Sequence, residues 1–162
     1  MTPSIYVIGR SSEKAVSETA EYLSSIYREI KTHHSQSLSL SQQKRSTEEA
    51  LIDAVCDSAR DNWDGYGAIA VSGKSYQHAM SFIEAMTPGI PVPDVSVDPD
   101  GEVCFIWYSN DRWLFSVSFS DKGRLAYAGL FGRNEIHGNE YYIDRIPDAL
   151  HSFIKRVSTN SI

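Results

Sequence analysis

The feature that most constrains this chain is a change of hydrophobic period. Up to Met86 the apolar residues recur every three or four positions, whereas from Asp94 onwards they alternate. The first spacing lays a stripe along a helix, and the second turns one face of a strand towards a core. Pro91 and Pro93 stand at the change and force an extended approach to it. Helices and strands grouped in blocks, rather than alternating, define an α+β fold.

Ahead of the change three helices are expected. Val16, Ala20, Leu23, Ile26, Tyr27 and Ile30 form the stripe of an amphipathic helix over Ser11 to Lys31, preceded by a short strand or extended arm at Ile5–Ile8. His33 to Arg45 is rich in Ser and Gln and lacks a sustained apolar period, so it reads as a linker too polar to offset the entropy of ordering. Ser46-Thr47-Glu48-Glu49 has the pattern of a capping box and predicts a second helix from about Thr47 to about Arg60, carrying Leu51, Ala54, Val55 and Ala59. Ser72 caps a third, with Tyr76, Ala79, Met80, Ile83 and Met86 in its stripe and Thr87-Pro88-Gly89 at its end. The expected organisation is an N-terminal helix and linker over residues 1–45 and an α+β domain over 46–162.

After the change, Asp94–Val97 and Glu102–Tyr108 flank Asp98-Pro99-Asp100-Gly101, where Pro presets the turn and Gly supplies the left-handed exit. Arg112–Phe119 places Trp113, Phe115, Val117 and Phe119 on one side. Arg124–Phe131 follows, then a polar stretch over Gly132–Gly138 and a short edge strand at Glu140–Ile143. Leu150, Phe153, Ile154 and Val157 define a last helix entered through Pro147. The whole reads as two layers: N-terminal helices, an antiparallel β-meander of four to five strands, and a closing C-terminal helix.

Several chemistries lack their residues. A chain of 162 residues buries enough surface to fold without a metal or disulfide. No window reaches the ~18 apolar residues of a membrane span, and the N-terminus lacks a signal-peptide pattern, so a cytoplasmic protein with no membrane contact is expected. Cys56 and Cys104 are far apart, which suggests two free, buried thiols. The five histidines show no metal-ligand spacing, and His137 beside Glu135 and Glu140 reads as part of a polar loop. No nucleophile elbow or phosphate-binding loop occurs, so neither catalytic residue, metal nor cofactor is expected. Residues 1–60 carry 7 basic and 8 acidic groups and residues 61–162 carry 8 and 13. That acidic excess disfavours direct binding to nucleic acid and suits a basic protein partner.

One segment concentrates polar and aromatic groups: Asp61-Asn62-Trp63-Asp64-Gly65-Tyr66-Gly67. Its two glycines invite positive φ and make it a loop after a helix end. Trp63 and Tyr66 can plug a helix–sheet junction while Asp64 bonds the loop's own amides, or they can serve as anchors of a recognition surface. In β-strand context, the small residues around Tyr127 and Gly129 leave room for close packing.

These segments together resemble a family of uncharacterised bacterial proteins. The resemblance rests on Asn62-Trp63-Asp64-Gly65-Tyr66-Gly67-Ala68, Ser72, Pro91-x-Pro93-x-Val95, Pro99-Asp100-Gly101-x-Val103, Trp107, Tyr127-Ala128-Gly129-x-x-Gly132 and Ile146-Pro147-x-x-Leu150, over roughly residues 60–157. It implies a small cytoplasmic protein from accessory or mobile parts of bacterial genomes, near toxin–antitoxin-like or phage-defence genes, and implies no activity. The expected function is a non-enzymatic protein–protein interaction module of antitoxin-like, immunity-like or inhibitor type, binding through Asn62, Trp63, Asp64, Tyr66, Tyr127 and Gly129. A homodimer is compatible with this reading. The alternative is a small-ligand-binding protein or hydrolase that uses the loop carboxylates.

Overall fold

The computed structural model describes residues 18–141 and 145–159, and of residues 18–24 the backbone alone. It divides into two compact units, Met1–Ser35 and Gln36–Ile162. In the first, the described backbone is helical, and Tyr27 and Ile30 are exposed. The arm expected at Ile5–Ile8 and the expected helix start at Ser11 lie outside the described residues.

Helix α1 runs over Glu18–Asp57 without interruption. The stretch from His33 to Arg45, expected to be a linker, is therefore helical, and the capping pattern at Ser46–Glu49 begins nothing. The physical cause is that no Gly or Pro occurs between Gly9 and Gly65, so nothing breaks the helical ladder. Within the stretch the Ser41 hydroxyl is satisfied by the Ser37 carbonyl at 3.0 Å, and on its flanks the Thr32 and Thr47 hydroxyls donate to the Arg28 and Gln43 carbonyls at 2.9 Å each. Thr47 and Leu51 are fully buried, so this part of the helix belongs to the core layer. It ends at Asp57, where the Ser58 amide and hydroxyl both turn back to the Ala54 carbonyl.

Helix α2 spans Gly73–Ala85, with Ser72 as its N-cap: the Ser75 amide donates to the Ser72 hydroxyl. Its buried residues include Ala79 and Ile83, as the periodicity predicts, and also Phe82. Strands β1 (Asp94–Val97), β2 (Val103–Asn110), β3 (Trp113–Phe119), β4 (Arg124–Phe131) and β5 (Asn134–Tyr141) form one antiparallel sheet in chain order. Strand β5 starts earlier than its composition suggests. An edge strand is held by its backbone ladder, so polar side chains do not preclude it. Alternation then sets Glu135 and His137 on the face opposite Glu140, so these three do not converge.

Helix α3 (Asp148–Ser158) closes the chain, with Pro147 as its N-cap residue, Asp148 in its first turn and Lys155 and Arg156 in its last, as the helix dipole favours. Helices α2 and α3 pack on the sheet face that carries Val103, Phe105, Trp107, Phe115, Val117, Phe119 and Leu125. The ring of Phe82 meets Phe105 and Phe119 edge-on at centroid distances of 5.9 and 5.3 Å. Phe153 of α3 meets Phe115, Tyr127 and Phe131 at 5.5, 5.9 and 5.7 Å. The fold is α+β, a five-stranded meander with helices before and after it. Of the two free cysteines Cys104 is buried, with its thiol pushed up to about 11 by desolvation, while Cys56, expected to be buried, is exposed on α1.

Candidate functional site

The loop between α1 and α2 is built almost entirely from its own polar groups. Asn62 adopts φ 61°, a left-handed conformation that Asn tolerates, and Gly65 and Gly67 sit at φ 78° and 95°. These angles fold the chain so that the Asn62 amide donates to the Ala68 carbonyl at 2.6 Å, and the Gly67 amide to Asn62 Oδ1 at 2.8 Å. Asp64 Oδ1 accepts from the Tyr66 and Ala68 amides at 2.8 and 3.1 Å, an Asx-turn in which a carboxylate satisfies backbone donors. Those bonds hold the Asp64 carboxyl below its ordinary value of 3.8. Asp61 Oδ1 accepts from the Ala70 amide at 2.9 Å and closes the loop at its far end.

Two contacts fasten the loop to the body. The half-buried Trp63 packs against the core and its Nε1 donates to the Ile69 carbonyl at 3.2 Å. The Ile69 amide donates to the Pro99 carbonyl at 2.8 Å and the Ser72 amide to the Gly101 carbonyl at 2.9 Å, so the loop hangs on the β1–β2 turn. Gly101 has φ 82°, and a Cβ there would lie 2.6 Å from the Ala70 carbonyl oxygen. The Ile69–Ser72 end of the loop and the Pro99–Gly101 turn, separate in the sequence, thus form one assembly. Tyr66 is at its tip, 94% exposed, with its side chain engaged by no other described residue.

Tyr127 and Gly129 lie elsewhere. Strand β4 is separated from β1 by β2 and β3. Tyr127 packs at a tilt against Phe115 and Phe153, and a Cβ on Gly129 would meet the Phe131 and Phe115 rings at 2.8 and 2.9 Å. The room left by Gly129 on that side is filled from within by aromatic rings. Its backbone also contributes to a shallow groove of about 300 Å³ lined with Leu114, Ala128, Leu130, Glu135 and His137. Of the expected site residues, the structure brings Asn62, Trp63, Asp64 and Tyr66 together and sets Tyr127 and Gly129 against the core.

Carboxylates cluster beside the loop's anchor. Burial raises the Asp98 carboxyl, against the Ser118 hydroxyl that donates to it at 3.2 Å, and Asp100 adds to the rise. Glu102 is likewise raised above its ordinary value of 4.5, first by burial and then by Asp100, Asp121 and Asp98, with Arg124 opposing. A carboxyl raised by folding favours the folded state below pH 4.5, and that contribution is lost as pH rises through the elevated value. Glu102→Gln is therefore expected to raise the melting temperature at pH 7 and to leave it unchanged below about pH 4; thermal unfolding across that range checks this. Among the described residues no group of three or more His, Cys, Asp or Glu is placed to hold a metal ion, and no helix is long and apolar enough to cross a membrane.

No family model, no curated protein and no solved structure matches this chain.

Proposed function

We propose that this chain is a non-enzymatic protein-binding module, a cytoplasmic antitoxin-like, immunity-like or inhibitor protein of a bacterial or phage-defence system, and that the 61–70 loop is its recognition element. One observation carries the reading: the loop's Asp61, Asn62 and Asp64 are engaged with the loop's own amides, while Tyr66 stands 94% exposed at the tip of that fixed frame. An aromatic on a fixed backbone has only two side-chain torsions to order on binding, one reason Tyr is enriched among interface anchors. Exposed Ile69 extends the apolar contact. Asp98, Asp100, Glu102 and Asp121 beside the loop's anchor give that region an acidic character suited to a basic protein. The bacterial defence setting rests on the family resemblance of the Asn62–Ala68 and Pro99–Gly101 segments.

The test places a photo-crosslinking amino acid at position 66, and separately at Tyr141, which is also exposed but lies on β5. Crosslinking in the source cells is expected to trap one protein from position 66 and not from 141. With that protein purified, Tyr66→Ala is expected to weaken binding at least roughly thirtyfold, the loss of an interface hot spot, with an unchanged melting temperature. Equal affinity of the variant and the parent chain refutes the reading.

A further inference from the structure

A second concavity, of about 310 Å³, opens at the sheet margin where β1 begins. The β1–β2 register starts at Asp94 opposite Ile106, so β2 continues through Trp107 and Tyr108 past the first β1 residue, and the cavity forms at that step. Its walls include Asp94, Trp107, Tyr108 and the last turn of α3 at Val157 and Ser158. Both rings are fixed. Trp107 Nε1 donates to the Pro91 carbonyl at 2.9 Å, and the Tyr108 hydroxyl donates to Asp111 Oδ1 at 2.7 Å.

The electrostatic character of these walls has one sign. Asp94 is an exposed carboxylate. Alternation sets Asp94 and Tyr108 on one sheet face, opposite the face of Trp107 and α3, and the half-exposed Tyr108 ring offers a cation the negative part of its quadrupole, whereas the Trp107 ring is buried. The C-terminal end of α3, at the sheet margin, carries the negative pole of its dipole. The basic residue nearest to this turn in sequence, Arg156, lies over the Phe131 and Trp113 rings at 4.8 and 5.8 Å from their centroids, and neither it nor Lys155 lines the cavity. Pro91 and the exposed Val92 supply apolar wall for an aliphatic stem. The volume stands at the lower end of the ~300–1,000 Å³ typical of ligand pockets, a size for one long side chain.

We infer that this cavity is a receptor for a single arginine side chain of a partner polypeptide, with the guanidinium between the Asp94 carboxylate and the Tyr108 ring. Arginine fits better than lysine because a planar guanidinium stacks on aromatic faces and bonds a carboxylate through two parallel donors. The site uses none of the residues of the 61–70 loop, and it stands or falls separately from the role of Tyr66.

The test titrates the isotope-labelled chain of 162 residues with N-acetyl-argininamide and, in parallel, with the citrulline analogue, which has nearly the same shape and no charge. Saturable NMR shifts are expected at the Trp107 indole N–H and at the amides of Tyr108, Val157 and Ser158, with the citrulline compound at least roughly tenfold weaker. Asp94→Asn is expected to weaken argininamide by roughly tenfold or more, while Tyr66→Ala leaves it unchanged. Shifts that do not saturate, shifts centred away from these four residues, or equal binding of the two compounds would overturn the inference. Because the two-compound comparison uses the unaltered chain, it remains decisive even if the Asp94 variant folds poorly.

Discussion

Gly101→Ala is expected to destabilise the fold by about 2–5 kcal/mol, combining ~1–2 for a left-handed non-glycine residue with ~1–3 for a forced overlap. The overlap is with backbone: the new methyl would sit 2.6 Å from the Ala70 carbonyl oxygen and 3.4 Å from its carbon. A backbone carbonyl cannot rotate aside as a side chain can, so either the β1–β2 turn or the loop must move. Moving either costs the Ile69–Pro99 and Ser72–Gly101 hydrogen bonds. Gly65→Ala provides the comparison, since Gly65 also has positive φ but open space around its Cβ. Urea unfolding of the two variants separates the terms: Gly65→Ala should lose only the conformational share. Equal losses would mean that the loop and the turn do not meet as described.

Phe82→Ala should cost about 3–5 kcal/mol, the range for removing a buried aromatic ring. Phe82 is fully buried on α2 and lies against Phe105 and Phe119 of β2 and β3, with Trp107 at 6.3 Å. It is the ring through which α2 engages the middle of the sheet, so its loss leaves a cavity between the layers that rigid strands cannot close. Against a typical total of about 5–15 kcal/mol, such a variant is at the edge of folding at 37 °C. Phe82→Leu, which retains most of the volume, should recover more than half of the loss. A deficit of under about 1 kcal/mol for Phe82→Ala would show that α2 is not anchored through this ring.

Phe82 was legible in principle, although it stands outside the stripe given above. Tyr76, Ala79, Met80, Ile83 and Met86 identify the helix and its buried side, and Phe82, three residues after Ala79 and four before Met86, fits the same spacing. Strands β2, β3 and β4 were legible because alternation and Gly-containing turns act locally, and the Asp98–Gly101 turn forms with the expected left-handed glycine. Both ends of helix α1 were legible as helix, up to Lys31 and from Thr47, but not its continuity, because its middle is polar and carries no stripe. The one signal was negative, the lack of Gly and Pro from residue 10 to residue 64. Strand β5 was hidden for a related reason: an edge strand takes its order from the neighbouring backbone, which composition does not encode. Within the loop, the bonds of Asp64 follow from ordinary Asx-turn chemistry. The anchorage on Pro99 and Gly101 joins segments some thirty residues apart, and no local rule reports it.

The loop's hydrogen bonds have a consequence for how such a protein can diversify. Every bond that shapes the frame comes from backbone groups or from Asp61, Asn62, Trp63 and Asp64, and none from the phenol of Tyr66. The tip residue can therefore be exchanged without redrawing its support, so descendants of one scaffold could acquire new binding preferences through single substitutions at a position whose alteration leaves folding untouched.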